Sequence, residues 1–297
     1  MSLSFVIVGP GKLGTALGIQ LSATSGYTPL GIAGRTLPSA QAAADQIGAG
    51  SATAVPWEVT RNADIVFITT PDGTIADVSE NISRHEGFKD GAVVLHCSGS
   101  LPSTILNVNN ATIAKGSMHP LQSFAGGDSG TNPFAGINMA IEGDPQARDI
   151  ARQIGSMLGA NVFSIKTPAK ALYHAAAVVA SNYLVTLMDT AFSLLETAGI
   201  DRARAGDILR PLVQGTMTNI DTVGIPDALT GPIARGDTTT VADHLREIAV
   251  QRKELLNIYS ILGCRTIPIA AAKNTINDEQ AEALTRMLQK AMAHEKQ

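Results

Sequence analysis

The run SFVIVGPGKLGTAL (residues 4–17) limits the fold of this chain more than any other stretch. Ser4–Val8 reads as a strand. Leu13, Leu17 and Leu21 then recur at i, i+4 and i+8, the spacing of one helical face. Between the two stand Gly9, Gly11 and Gly14, in the pattern G-x-G-x-x-G. Each glycine has a separate use there. The first permits a tight turn, the second lets the backbone approach a pyrophosphate, and the third lets the helix pack closely on the strand. The free N–H groups of the first helical turn face the anion. By itself the pattern also suits an empty glycine turn. Flanked by a strand and an amphipathic helix, it predicts a dinucleotide site on Gly9, Pro10, Gly11, Lys12, Leu13 and Gly14.

The first half of the chain keeps this alternation. Strand-like runs occur at 4–8, 30–33, 64–69, 92–97, 138–142 and 162–165, with helical patterns between. They are apolar throughout, as expected of strands covered on both faces, and predict a mostly parallel sheet. After Lys166-Thr167-Pro168 the character changes. A helical pattern with no Pro or Gly runs from 169 to 198 and is closed by Gly199, and more helix is expected at 202–214, 238–262 and 278–294. The expected organisation is an α/β domain over 1–166 and an all-α domain over 167–297. A glycine-rich connection, 124–136, interrupts the first domain.

The dinucleotide is read from the end of the second strand. A carboxylate that holds an adenosine ribose is usual there. Here the sequence is GIAGRTLPS: Gly34 stands near that place, followed by Arg35 and Thr36. An acid would repel a 2′-phosphate, whereas an arginine grips one in a charge-assisted fork. We therefore expect NADP(H), with Arg35 as the main contact and Thr36 and Ser39 assisting. An ordinary surface arginine is the competing reading. Ligands of an open parallel sheet bind beyond the carboxyl ends of its strands. Thr70, Pro71 and Asp72 after one strand, and Ser98 and Gly99 after the next, should therefore skirt the cofactor.

Four polar residues are candidates for chemistry. His119 precedes Pro120, which favours extended backbone and suggests a sheet edge. His174, Ser181 and Asn182 interrupt an alanine-rich helix. At 100° per residue Ser181 falls about 20° from His174 around the axis, and Asn182 about 80°. Each of these also has a bland reading as a locally satisfied polar group. Arg235, in ALTGPIARGDTTTVADH, is a candidate partner for a substrate carboxylate, and one of Asp237, Thr238 and Thr239 should cap the helix that follows. No metal-ligand spacing and no serine-hydrolase motif is present, so no metal is expected.

The net charge of −4 and the absence of a Lys/Arg run argue against nucleic acid. No uninterrupted apolar run reaches the ~18–20 residues of a membrane span, and no signal-peptide pattern opens the chain. With two cysteines at unpaired spacing, Cys97 and Cys264, a cytoplasmic location is expected. The long apolar helical half suggests a homodimer.

The motifs HCSGS, HPLQSF, YHAAAVVASNY and ALTGPIARGD resemble those of the Rossmann-like, domain-of-unknown-function-2520 family. That family lies within the superfamily of 6-phosphogluconate dehydrogenase, ketopantoate reductase and pyrroline-5-carboxylate reductase. The resemblance spans essentially the whole chain. It implies a Rossmann domain joined to a 6-phosphogluconate-dehydrogenase-type helical domain, and NADP-dependent oxidoreduction. The related dehydrogenases carry a catalytic Lys with an Asn one turn on. On that comparison His174 stands for the Lys, Val178 for the Asn, and Asn182 lies a turn later. The activity expected is reduction of a small 2-oxo acid or related carbonyl compound. His174 would donate the proton, Ser181 and Asn182 would orient the carbonyl, and His119 and Arg235 would form the outer wall. A cyclic-imine reductase and a non-catalytic NADP(H)-binding regulator are the alternatives.

Overall fold

The computed structural model describes residues 2–122 and 132–293. Most of the glycine-rich connection 124–136, and Ser123 and Phe124 of HPLQSF, lie outside the described residues. The chain divides into two compact units, Met1–Ala180 and Ser181–Gln297.

The first unit holds one eight-stranded sheet. Its strands are β1 (Leu3–Val8), β2 (Tyr27–Ala33), β3 (Ser51–Thr53), β4 (Ile65–Ile68), β5 (Val93–His96), β6 (Ala114–Pro120), β7 (Asn138–Gly143) and β8 (Asn161–Ser164). They lie in the order β3-β2-β1-β4-β5-β6-β7-β8. All neighbours pair parallel except β6 with β7. The helices are α1 (Lys12–Ser22), α2 (Leu37–Ile47), α3 (Pro56–Thr60), α4 (Ile75–Arg84), α5 (Pro145–Met157) and α6 (Lys170–Ala180). The strand period of two sorts the core into two layers. Phe5 and Ile7 pack with Leu17, Leu21, Ile47 and Ile154 on one face, and Val6 and Val8 with Ile75, Ile82 and Leu106 on the other.

The six expected strands are all present to within a few residues. β3 and β6 were not expected. β3 has only three residues, and β6 (AKGSMHP) is broken up by Lys115, Gly116, Ser117 and His119. Neither carries a strand pattern of its own, and pairing to neighbours makes them strands. One expectation is corrected here: His119 lies on an interior strand between β5 and β7, not at a sheet edge.

The second unit contains α7 (Asn182–Thr197), α8 (Arg202–Val223), α9 (Thr238–Gln251), α10 (Leu256–Ala272) and α11 (Asp278–Ala293), with no strand among the described residues. Val241, Leu245, Ile248, Leu256, Ile267, Leu284 and Leu288 form its core. Asp237 is the cap of α9, its carboxylate accepting from Thr240 N at 3.0 Å. Gly199, at φ +88°, follows the end of α7.

The helix expected over 169–198 is two helices. At Ser181 φ is −115° and ψ −67°, the helix is interrupted, and the units divide there. Angular positions counted along one continuous helix therefore do not carry from His174 to Ser181 and Asn182. The helix after the expected boundary at residue 166 stays with the sheet because its first residue is anchored there. Lys170 is 1% exposed; its Nζ donates to Ser117 Oγ on β6 and lies 3.5 Å from Glu142 Oε1 on β7. The Glu142 carboxylate also accepts from Ser103 N (2.7 Å), Ser103 Oγ (2.8 Å) and Thr167 Oγ1 (2.8 Å).

The membrane expectation is refined as well. Thr167–Thr197 and Lys253–Ala272 each reach a mean hydropathy of 1.4 and are, by length and composition, apolar enough to cross a membrane. Isolated Ser, Thr and Asn residues break an uninterrupted run but weigh little in an average.

The buried pair yields a stability prediction. Lys170→Met leaves the Glu142 carboxylate without its cation and should cost about 3–5 kcal/mol. Trp57, the single tryptophan, lies in the first unit and reports its urea unfolding directly. Adding Glu142→Gln should restore part of the loss, and a single-variant loss under about 1 kcal/mol would show the pair to be energetically idle.

Candidate active site

β1, β4, β5 and β6 run parallel, so their carboxyl ends share one edge of the sheet. The glycine turn follows β1, Thr69–Asp72 follow β4, Cys97–Ser100 follow β5, and His119 stands near the end of β6. The glycines behave differently from one another. Gly9 has φ +92°, and a Cβ there would lie 2.6–2.9 Å from Thr70. A Cβ on Gly14 would lie 2.3 Å from Thr69 Oγ1 and 2.9 Å from Gly9 O. Gly11, the N-cap of α1, has nothing within 4 Å of that position. The turn is thus packed at both ends and open at its centre, where Gly11 N donates to Gly9 O at 2.8 Å and no side chain bars the approach of an anion. Thr69 Oγ1 holds it to β4 by donating to Gly9 O at 2.7 Å. These residues fit a dinucleotide pyrophosphate.

The end of β2 is shaped against an acidic residue. A Cβ on buried Gly34 would lie 2.7 Å from Ser39 Oγ and 3.1 Å from Ala40 N, so a side chain there would have to displace the Ser39 hydroxyl and crowd the start of α2. Arg35 is exposed beside it. Thr36 is the N-cap of α2, accepting from Ser39 N at 3.3 Å, and Ser39 Oγ donates to Thr36 O at 2.8 Å. Thr36 and Ser39 thus build the helix start beside Arg35.

Thr70 Oγ1 is buried against the glycine turn, with no hydrogen-bond partner among the described residues. Pro71 leads into the turn that carries Asp72. The Asp72 carboxylate accepts from Ser98 Oγ (2.8 Å) and Ser100 Oγ (2.9 Å), while Ser98 Oγ accepts from Ser100 N and Leu101 N. The Ser98 hydroxyl is therefore committed to shaping the loop after β5. Any contact of Ser98 with a cofactor falls to its backbone.

His119 and His174 come together over Gly99. Their ring centroids are 6.2 Å apart at 69°. A Cβ on Gly99 would lie 2.5 Å from His174 Cδ2 and 2.7 Å from His119 Nε2, so only glycine leaves room for both imidazoles. On its other side His119 Nδ1 lies 2.8 Å from the Tyr173 hydroxyl.

Beneath this pair lies a buried polar layer that sequence reasoning missed. It contains Lys170 with Glu142, together with His96. The signal for Lys170 was present: it stands one turn before His174, and so gives a Lys followed one turn on by a polar residue. His96 Nδ1 accepts from Ser98 N at 3.2 Å. Burial pushes His96 and His119 down to about 4, with the Lys170 cation acting in the same direction. Burial likewise pushes the Cys97 thiol up to about 12, in keeping with a core role. Burial also lowers Lys170, and Glu142 opposes that shift. Ser181, Asn182 and Arg235 are exposed residues of the second unit.

The neutral histidines have a pH consequence. In the unfolded chain they titrate near 6.5, but in the folded chain only near 4. Between these values the unfolded state binds more protons, so stability is full above 6.5 and is lost as pH falls toward 4. Fully buried His96 alone should account for roughly 3 kcal/mol of that loss. Urea midpoints measured at pH 7.5 and 4.5 should diverge in the native chain and less so in His96→Gln.

Residues 1–120 match the Rossmann-like domain family, and residues 137–266 match the domain of unknown function DUF2520. No curated protein sequence matches the chain. Among solved structures, the Bacteroides fragilis protein BF3122, assigned as an NADP oxidoreductase, is similar with 23% identity and a TM-score of 0.71. The match covers 90% of this chain and 98% of that one. The 1-pyrroline-5-carboxylate reductase of Streptococcus pyogenes follows at 16% identity and TM-score 0.61, over 98% and 99% of the two chains. The reductive aminase of Aspergillus terreus, solved with NADPH and ethyl-5-oxohexanoate, has 12% identity and TM-score 0.61, over 99% and 95%. These structural likenesses establish the fold: a Rossmann-like parallel sheet followed by a helical part. The chain thus carries a Rossmann-like domain followed by a DUF2520 domain.

Proposed function

We propose that the chain is an NADP(H)-dependent reductase of a small compound with a polarised C=O bond, a 2-oxo acid or a relative. One observation carries the reading. The glycine turn, the acid-free corner at Gly34 and the imidazole pair over Gly99 all stand at carboxyl ends of parallel strands in one sheet. In this scheme the pyrophosphate rests on Gly9, Pro10, Gly11, Lys12, Leu13 and Gly14. Arg35 grips the 2′-phosphate, with Thr36, Ser39 and the start of α2 beside it. Thr70, Pro71 and Ser98 flank the nicotinamide end. The cofactor supplies a hydride to the carbon of the double bond. His174 gives the proton that the heteroatom takes up. Similarity to an NADP oxidoreductase and to an NADPH-bound reductive aminase supports the cofactor and the reaction class.

A cyclic imine is the second reading for the substrate. It is favoured by the likeness to pyrroline-5-carboxylate reductase and to an imine reductase of Myxococcus stipitatus. A panel of 2-oxo acids and cyclic imines, followed by NADPH oxidation, separates the two. Turnover of neither class, with NADPH still bound, would favour a regulatory binding protein. Arg35→Ala should weaken NADPH binding about ten- to a hundredfold and leave NADH binding nearly unchanged, as read by nucleotide fluorescence titration. Equal losses for both would remove the 2′-phosphate assignment. His174→Ala should remove most of the turnover of whichever substrate is found.

A homodimer formed through the helical unit belongs to the same proposal. α7 and α8 contribute only Ser193 and Ala205 to the buried set, yet expose Val185 and Leu212 at 67–69%. Large contiguous apolar patches on a protein surface mark interaction sites. A second copy suits it better than a membrane, since Asp189, Arg202 and Asp207 share these helices. The unpaired cysteines fit a cytoplasmic location. Light scattering should give twice the chain mass, and Leu212→Asp should give a monomer. Liposome flotation of the native chain would favour the membrane instead.

A further inference from the structure

His119 has two ring nitrogens in different surroundings. Nδ1 lies 2.8 Å from the Tyr173 hydroxyl. The two rings meet edge to face, 5.7 Å apart at 84°. Phe163 packs edge-on against the other side of Tyr173, 6.0 Å away at 64°, and so fixes where the hydroxyl points. Nε2 looks the other way, over Gly99 towards His174.

The chemistry of this contact selects a direction. A phenol is a good donor and a weak acceptor, and the unprotonated nitrogen of an imidazole is a good acceptor. The favourable arrangement is therefore Tyr173 O–H donating to His119 Nδ1, which leaves the ring proton on Nε2. The groups facing His119 keep it so. Lys170 from α6 and His174 both oppose a further positive charge on the ring, Asp72 after β4 works weakly the other way, and burial outweighs it. Burial also pushes Tyr173 up to about 12, so the phenol keeps its proton.

We propose that Tyr173 is a positioning residue that holds His119 in the Nε2–H tautomer, so that a neutral imidazole presents its N–H over Gly99 to the acceptor atom of the substrate. A neutral donor of this kind polarises a C=O or C=N without being consumed as an acid. His174 remains free to deliver the proton. The second half of this inference rests on the reductase reading, whereas the tautomer does not.

The experiment uses the full chain labelled with 15N-histidine, as native protein and as Tyr173→Phe, with long-range 1H–15N spectra recorded from pH 5 to 8. The phenylalanine keeps the ring packing against Phe163 and removes only the hydroxyl. His119 in the native chain is expected as the Nε2–H tautomer across this range, and as a mixture in Tyr173→Phe. With a substrate from the panel, Tyr173→Phe should lower kcat about five- to tenfold, the scale of one lost hydrogen bond, with NADPH affinity unchanged. A native His119 found as Nδ1–H, or a tautomer indifferent to Tyr173→Phe, overturns the proposal. The native spectrum decides this even if the variant fails to fold. Absence of turnover with every compound would overturn the reductase reading and leave the tautomer result standing.

Discussion

The ion pair of Lys170 with Glu142 is the interaction on which the arrangement of this site depends. Two charges that are each 1% exposed are costly to remove from water. The fold offsets that cost by giving Glu142 three further donors and Lys170 a serine acceptor. In doing so it ties β6, β7, the turn through Ser103 and the start of α6 to one point. Lys170 is the one buried residue of α6, so this anchor fixes the helix where apolar packing does not. Tyr173 and His174 lie three and four residues further on, the spacing that shares a helical face. Both are thereby turned towards His119 and Gly99.

The cofactor side of the sheet follows a different logic, that of close approach. Thr69 and Thr70 fill the space a side chain would need at Gly14 and Gly9, while Gly11 is left open. Gly34 repeats the device at the next strand, where Ser39 occupies the place a ribose-binding acid would need. The chain carries glycine rather than an acid at that corner, with exposed Arg35 beside it.

Much of this was legible from residues alone. The glycine spacing, the apolar strand runs and the Gly34-Arg35-Thr36 corner are local, and a local pattern carries its own structural meaning. The strand β6 was not legible, because Lys115, Gly116 and Ser117 break its pattern and only pairing with β5 and β7 makes it extended. The helix break at Ser181 was hidden for a related reason: no Gly or Pro marks it. Lys170 gave its only signal in its spacing, one turn before His174. In the sequence it is one of two lysines beside the Thr167-Pro168 turn, with Lys166, and only the fold distinguishes the buried ammonium from the other.

The sequence by itself determined the fold class, the phosphate turn and the corner with Arg35 in place of an acid, because each rests on neighbours within a few residues. It also offered His119 and His174 as separate candidates. Only the tertiary structure decided that the two imidazoles meet, that Tyr173 stands behind one of them, and that a salt bridge lies underneath. Those contacts join residues 54 and 75 positions apart to one point, His119 to Tyr173 and Gly99 to His174. No periodicity encodes such distances. They are set by strand order in the sheet and by the buried charge that fixes where α6 begins.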